Sequence, residues 1–86
     1  MDRLSIVVPC YNEEASLARF YDATSAVCAG LDVVVEFIFV DDGSQDGTLA
    51  ALKGLAERDG QVRWLALSRN FGKEAALFAG LEHARG

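Results

Sequence analysis

Histidine, methionine, tryptophan and proline each occur once among 86 residues. With His83 as the lone imidazole, the inventory offers no Ser–His–Asp arrangement. His83 falls late in a predicted helix, where a solvated or dipole-stabilised ring is the ordinary reading. Cysteine occurs twice, at Cys10 and Cys28, outside any Cys-x-x-Cys or Cys/His cluster. That spacing argues against a zinc site or a disulfide framework. Two small, partly buried thiols in a reducing cytosol are expected. No Gly-x-x-x-x-Gly-Lys phosphate loop is present. No apolar run approaches the ~20 residues that span a bilayer. Met1-Asp2-Arg3 leads into a short apolar strand, not into the long apolar core of a leader peptide. A cytoplasmic location follows as the expectation. Positive charge is also scarce, with 8 Lys and Arg against 13 Asp and Glu and a net charge of −5. This argues against nonspecific nucleic-acid binding. It leaves a nucleotide cofactor open, because a local site can differ in sign from the whole.

What is abundant is apolar surface. Hydrophobic residues make up 51% of the chain. A domain of this length buries only about 60% of its unfolded surface. The excess hints at contact with a larger body. One domain, residues 1–86, is expected, with no repeat, linker or low-complexity segment. Leu4-Ser5-Ile6-Val7-Val8-Pro9 reads as a strand ended by proline. Asn12 is a candidate N-cap, Glu13 and Glu14 suit a first helical turn, and Leu17, Phe20, Tyr21, Thr24, Val27 and Cys28 recur at helical spacing. Gly30 closes that helix. Residues 33–40 form a near-continuous apolar run, the mark of a central parallel strand. A second helix begins at Asp46 or Gly47 and presents Leu49, Leu52, Leu55 and Ala56. After a turn at Asp59-Gly60, residues 62–67 predict a third strand, with Trp64 as packing. Residues 73–85 predict a third helix carrying Leu77, Phe78, Leu81 and Ala84, with Gly86 at its C-cap. The order βαβαβα predicts a parallel sheet with right-handed crossovers. All three strand-to-helix loops then open at one sheet edge, where α/β folds bind ligands.

Those loops carry the chemistry. The first offers Pro9, Tyr11, Asn12 and Glu13. A base can stack on Tyr11 or lie along the Pro9 backbone, whereas Asn12 can equally be a helix cap alone. The second places Asp41 and Asp42 directly after an apolar strand. Adjacent carboxylates there are costly unless donors or cations meet them. One can accept from a base or from ribose hydroxyls. Alternatively, Gly43-Ser44-Gln45-Asp46-Gly47 is an Asx-type turn that Asp42 organises. The third, Ser68-Arg69-Asn70-Phe71-Gly72-Lys73, sets two cations at a helix N-terminus, against the helix dipole. A bound phosphate explains Arg69 and Lys73, with Gly72 allowing close approach. Ion pairs from these cations to Asp41, Asp42 or Glu13 are the competing explanation.

Val7-Val8-Pro9-Cys10-Tyr11-Asn12-Glu13-Glu14 and Phe39-Val40-Asp41-Asp42-Gly43-Ser44-Gln45-Asp46-Gly47-Thr48 resemble the opening segments of family 2 glycosyltransferases. Ser68-Arg69-Asn70-Phe71-Gly72-Lys73-Glu74-Ala75-Ala76-Leu77 is similar to the branch acting on polyprenyl phosphates, including dolichol-phosphate mannosyltransferase-like and bactoprenol glucosyltransferase-like enzymes. The resemblance spans essentially the whole chain. It implies a three-layer α/β/α architecture, the N-terminal part of a glycosyltransferase A-type fold with a partial Rossmann-like sheet. It also implies that Pro9, Tyr11, Asn12 and Glu13 line a nucleoside pocket. By the same likeness, Asp41 holds the base and Asp42 stands near the ribose or its loop. Arg69 and Lys73 lie toward the diphosphate. The implied partners are a UDP- or GDP-sugar and a polyprenyl phosphate, at the cytoplasmic face of a membrane, in cell-envelope glycan synthesis. The implied cofactor is Mg2+ or Mn2+. Its Asp-x-Asp ligands would follow Gly86, so neither a metal site nor a catalytic residue is expected in this chain, which alone should be inactive.

The same likeness makes the first strand central in the complete fold. Here its edge would be bare, which predicts self-association through that strand or an exposed helix face. The competing class is a non-catalytic nucleotide-binding or receiver-like α/β module, with Asp41 and Asp42 as an acidic metal pocket.

Overall fold

The computed structural model describes residues 3–85. The C-cap expected at Gly86 and the segment Met1-Asp2 lie outside them. The elements are β1 (Arg3–Cys10), α1 (Glu14–Cys28), β2 (Val34–Asp41), α2 (Thr48–Arg58), β3 (Val62–Ala66) and α3 (Lys73–His83). The sheet is parallel, in the order β1-β2-β3. β2 is the central strand, and its residues 35–41 are all buried, as a strand covered on both faces requires.

Alternation along β2 assigns the two faces. Val35, Phe37 and Phe39 join Leu17 of α1 and Leu52 and Leu55 of α2 in one core. Ile38 and Val40 meet Ala76 of α3 on the other side. Two right-handed crossovers stepping the same way put α1 and α2 on one face. α3 turns back over β2 and β1 on the opposite face. The result is three layers.

α3 seats differently from the face expected. Ala76 and Gly80 are its buried residues, while Phe78 and Leu81 are 66% and 63% exposed. The reason is the closeness of helix and sheet. A Cβ on Gly80 would come within 2.3 Å of Val7 Cγ1, so only the small-residue stripe can lie against β1. Trp64 likewise does not pack in the core. It is partly exposed on β3, with Lys53 Nζ 5.2 Å from its ring centroid.

Pro9 sits within β1, and the ladder explains why it is tolerated. The Asp42 amide donates to Cys10 O at 2.8 Å. Alternation in a parallel ladder then turns Pro9 toward the free edge, where a missing N–H is harmless.

Glu36 breaks the apolar run of β2 yet is only 7% exposed. Its carboxylate accepts from Ser5 Oγ at 2.6 Å, Arg63 Nη1 at 2.9 Å and the Arg85 amide at 2.8 Å. Burial alone would push its pKa up. The donors from Ser5, Arg85 and Arg63 outweigh burial and hold it at about 2, below the ordinary 4.5. A depressed carboxylate pKa contributes stability that is full above about 4.5 and lost as pH falls through about 2. Glu36→Gln is therefore expected to lower stability at neutral pH by about 1–3 kcal/mol. It should also flatten the acid limb of a urea-midpoint profile over that window.

Candidate functional site

The three loops converge through hydrogen bonds that cross long stretches of sequence. Asn12 has a left-handed backbone, φ 51°. It does not cap α1, whose N-cap position is Glu13 without a side-chain cap. Instead its amide donates to Ser44 Oγ at 2.9 Å, and its Oδ1 accepts from the Gln45 amide at 2.8 Å. Asn12 thus staples the first loop to the second. The Glu13 amide donates to Thr48 Oγ1 at 2.9 Å, and Glu14 Oε1 accepts from the Gly47 amide at 2.9 Å. Glu14 therefore serves the start of α2 as well as its own helix. Asp46 Oδ1 accepts from the Thr48 amide at 2.9 Å and also from its hydroxyl. Asp46 Oδ2 also accepts from the Glu14 amide at 3.3 Å, so both acids tie the first loop to the second.

Asp41 and Asp42 are both 3% exposed, and their side chains part. Asp41 Oδ1 accepts from the Ser44 amide at 3.3 Å, within its own turn. Asp42 reaches the third loop. Its two oxygens accept from the Phe71 amide at 2.8 Å and the Gly72 amide at 3.0 Å. Its carbonyl takes Asn70 Nδ2 at 3.3 Å. Asp42 does organise a turn, but the one 29 residues away. Arg69 stacks its guanidinium 4.7 Å from the Phe71 ring centroid. Among the described residues, neither Arg69 nor Lys73 pairs with a carboxylate; the ion pair found is Arg63–Glu36.

These contacts surround a cavity of about 410 Å3 at the C-terminal ends of the strands. Pro9, Tyr11, Glu13, Asp42 and Lys73 line it, together with Cys10, Asn70 and Gly72. Asn12, Asp41 and Arg69 do not line it. Asn12 is turned to the second loop, Asp41 to Ser44, and Arg69 to Phe71. Asn70 and Gly72 lie between the two cations named from sequence, and their signal was the glycine-bearing loop itself. Cys10 is a passive wall. Burial, followed by the Glu13 and Asp41 carboxylates, pushes its thiol up to about 12, so it stays neutral and unreactive. α3 starts at Lys73, and its N-cap position, Gly72 with φ 103°, carries no side-chain cap. The first-turn amides of α3 and Lys73 can meet a phosphate there, next to the Asp42 carboxylate that holds the Phe71 and Gly72 amides.

A metal does not fit these residues. Three of the four oxygens of the Asp41–Asp42 pair are engaged by backbone amides. Among the described residues no group of three or more His, Cys, Asp or Glu can hold an ion. Nor is any helix long and apolar enough to cross a membrane.

The model for glycosyl transferase family 2 matches residues 5–86. The chain belongs to this family. It is 46% identical over 87 residues to the undecaprenyl-phosphate 4-deoxy-4-formamido-L-arabinose transferase of Pseudomonas aeruginosa PAO1. That match covers 100% of this chain and 26% of the relative. It is 44% identical to the prophage bactoprenol glucosyl transferase homolog of Escherichia coli K12, over 98% of this chain and 28% of that one. Among solved structures, S. aureus TarS 1-349 superposes with a TM-score of 0.80 at 26% identity, over 100% of this chain and 25% of that one. The mannosyltransferase PcManGT of Pyrobaculum calidifontis, in complex with GDP-Man and Mn2+, gives 0.72 at 30% identity, over 98% and 25%. This family 2 chain thus spans about a quarter of the length of its relatives, as a βαβαβα part of a glycosyltransferase A-type fold.

Proposed function

We propose that this family 2 chain forms the nucleotide-binding part of an inverting glycosyltransferase. The protein would move a hexose from a UDP- or GDP-sugar to a polyprenyl phosphate at the cytoplasmic face of a membrane, for envelope glycan synthesis. The observation that carries this reading is one cavity lined both by Pro9 and Tyr11, which suit a base, and by Lys73 at the start of α3, which suits a diphosphate. Glu13 and Asn70 add polar groups to its lining. Asp41, stapled in its turn, and Arg69, beside Phe71, would act on the base and the phosphates only after turning from those partners. A polyprenyl phosphate is already an anion at neutral pH, so it needs positioning more than a strong base. The relatives' names carry the acceptor, and the Mn2+ of the GDP-Man complex carries the cofactor. Mg2+ or Mn2+ would be held by residues other than those of this chain.

Calorimetric titration with UDP, UDP-glucose and GDP-mannose, with and without Mn2+, tests the reading. Saturable nucleotide binding with a Kd of roughly 1 mM or tighter, about −4 kcal/mol, is expected. Binding of Mn2+ alone, with no effect of nucleotide, would favour a metal-binding module instead.

The same reading includes self-association with a second copy. Among the described residues β1 has a neighbour on one side only, and Phe78 and Leu81 stand out from α3. Light scattering is expected to show mass rising with concentration. A monodisperse monomer at the highest concentrations would end that part of the proposal.

A further inference from the structure

A second recess lies at the opposite end of the strands. Its volume is about 160 Å3, and Arg3, Arg63 and Arg85 line it around Glu36. Three of the eight Lys and Arg of an acidic chain are thereby gathered in one place. The carboxylate does not require all three. Glu36 Oε1 takes Arg63 Nη1 at 2.9 Å, and Oε2 takes Ser5 Oγ at 2.6 Å and the Arg85 backbone amide at 2.8 Å. Arg63 Nη1 also donates to His83 O at 2.8 Å. Glu36 is therefore neutralised by one guanidinium and two uncharged donors. Among the described residues, the Arg3 and Arg85 side chains have no ion pair. Three guanidinium groups around one carboxylate leave an excess of positive charge, which raises the local potential and draws in an anion.

We infer that this recess binds a phosphate-type dianion between the guanidinium groups of Arg3 and Arg85. Guanidinium forks match phosphate oxygens in pairs. The volume falls below the roughly 300–1,000 Å3 of pockets for whole organic ligands, so it suits a phosphate group and not a nucleotide. The site is separate from the nucleotide cavity. Arg3 and Cys10 are the two ends of β1, seven steps or about 23 Å apart. Arg3 opens β1 and Arg85 follows α3, so the anion ties the start of the edge strand to the end of the helix that covers it.

Inorganic phosphate titrated into the isotope-labelled chain, at ionic strength held constant with NaCl, tests this by amide shifts. Saturable shifts are expected at Arg3, Gln61, Arg63 and Arg85. The double variant Arg3→Gln/Arg85→Gln should weaken binding at least about tenfold, or about 1.4 kcal/mol. Both side chains are exposed, and the Arg85 bond to Glu36 comes from the backbone, so the variant should keep its fold. Lys73→Gln should leave these shifts unchanged. Vesicles of phosphatidylcholine with and without phosphatidic acid distinguish the sources. Co-sedimentation that needs phosphatidic acid and is lost in the double variant assigns a lipid headgroup. Saturation by phosphate without co-sedimentation assigns a free phosphate. Absence of saturation by either probe, or binding that the double variant retains, overturns the proposal.

Discussion

Gly43→Ala is expected to lower stability by about 2–5 kcal/mol, the sum of overpacking and left-handed strain. Gly43 has φ 74°, and a Cβ built on it falls 2.3 Å from Arg69 C and 2.4 Å from Asn70 N. Those are backbone atoms, which cannot swing aside as a side chain can. The second and third loops touch there main chain to main chain, and the methyl group would drive them apart. For a chain of this length, total stability is of the order of 0.05–0.15 kcal/mol per residue, so the loss is a large share of it. A drop in Tm of about 10 °C or more is expected. Gly54→Ala is the control. Nothing lies within 4 Å of a Cβ at that position in α2. There the helix should gain up to about 1 kcal/mol. A Gly43→Ala protein that melts like the wild type would mean that the loops do not meet as described.

Asp42→Ala is the second large effect. Its buried carboxylate accepts from the Phe71 and Gly72 amides at 2.8 and 3.0 Å. Bonds to a charged acceptor contribute about 1.5–3 kcal/mol each, and the truncation strands two donors at once. The third loop should open. Hydrogen exchange at those two amides is expected to quicken at least about 100-fold, which is about 2.7 kcal/mol. Asp42→Asn should behave nearly as badly. Its carboxamide can accept from one amide but presents a second donor to the other. Nucleotide binding should fall with loop order in both variants. Unchanged exchange at Phe71 and Gly72 in a folded variant would contradict the role assigned to Asp42.

Much of the fold was legible because its periods are local. The β-branched run before Cys10, the apolar run ending at Val40 and the turn at Asp59-Gly60 each announce an element from neighbouring residues alone. The exceptions share one physical cause, a partner distant in sequence. α3 was expected to bury Phe78 and Leu81, but the distance to Val7 decides its face, and that distance is tertiary. Asn12 looks like a cap because Asn caps helices well, yet its positive φ turns it to Ser44 and Gln45. Nothing local marks Glu36 inside an apolar strand, since its donors Ser5, Arg63 and Arg85 come from three other segments. In the site, Pro9, Tyr11, Glu13, Asp42 and Lys73 come together around one cavity. Asn12, Asp41 and Arg69 point elsewhere: Asn12 to a loop 33 residues away, Asp41 and Arg69 to Ser44 and Phe71 of their own loops.

Chemical-shift mapping with a saturating nucleotide sugar tests the central claim most directly. The account predicts that amide shifts on adding UDP-glucose or GDP-mannose cluster at residues 10–13, 42 and 70–73. It predicts that Lys73→Gln weakens the titration several-fold while the spectrum stays that of a folded chain. Shifts that fall away from the C-terminal ends of β1 and β2, or that Lys73→Gln leaves untouched, would contradict it.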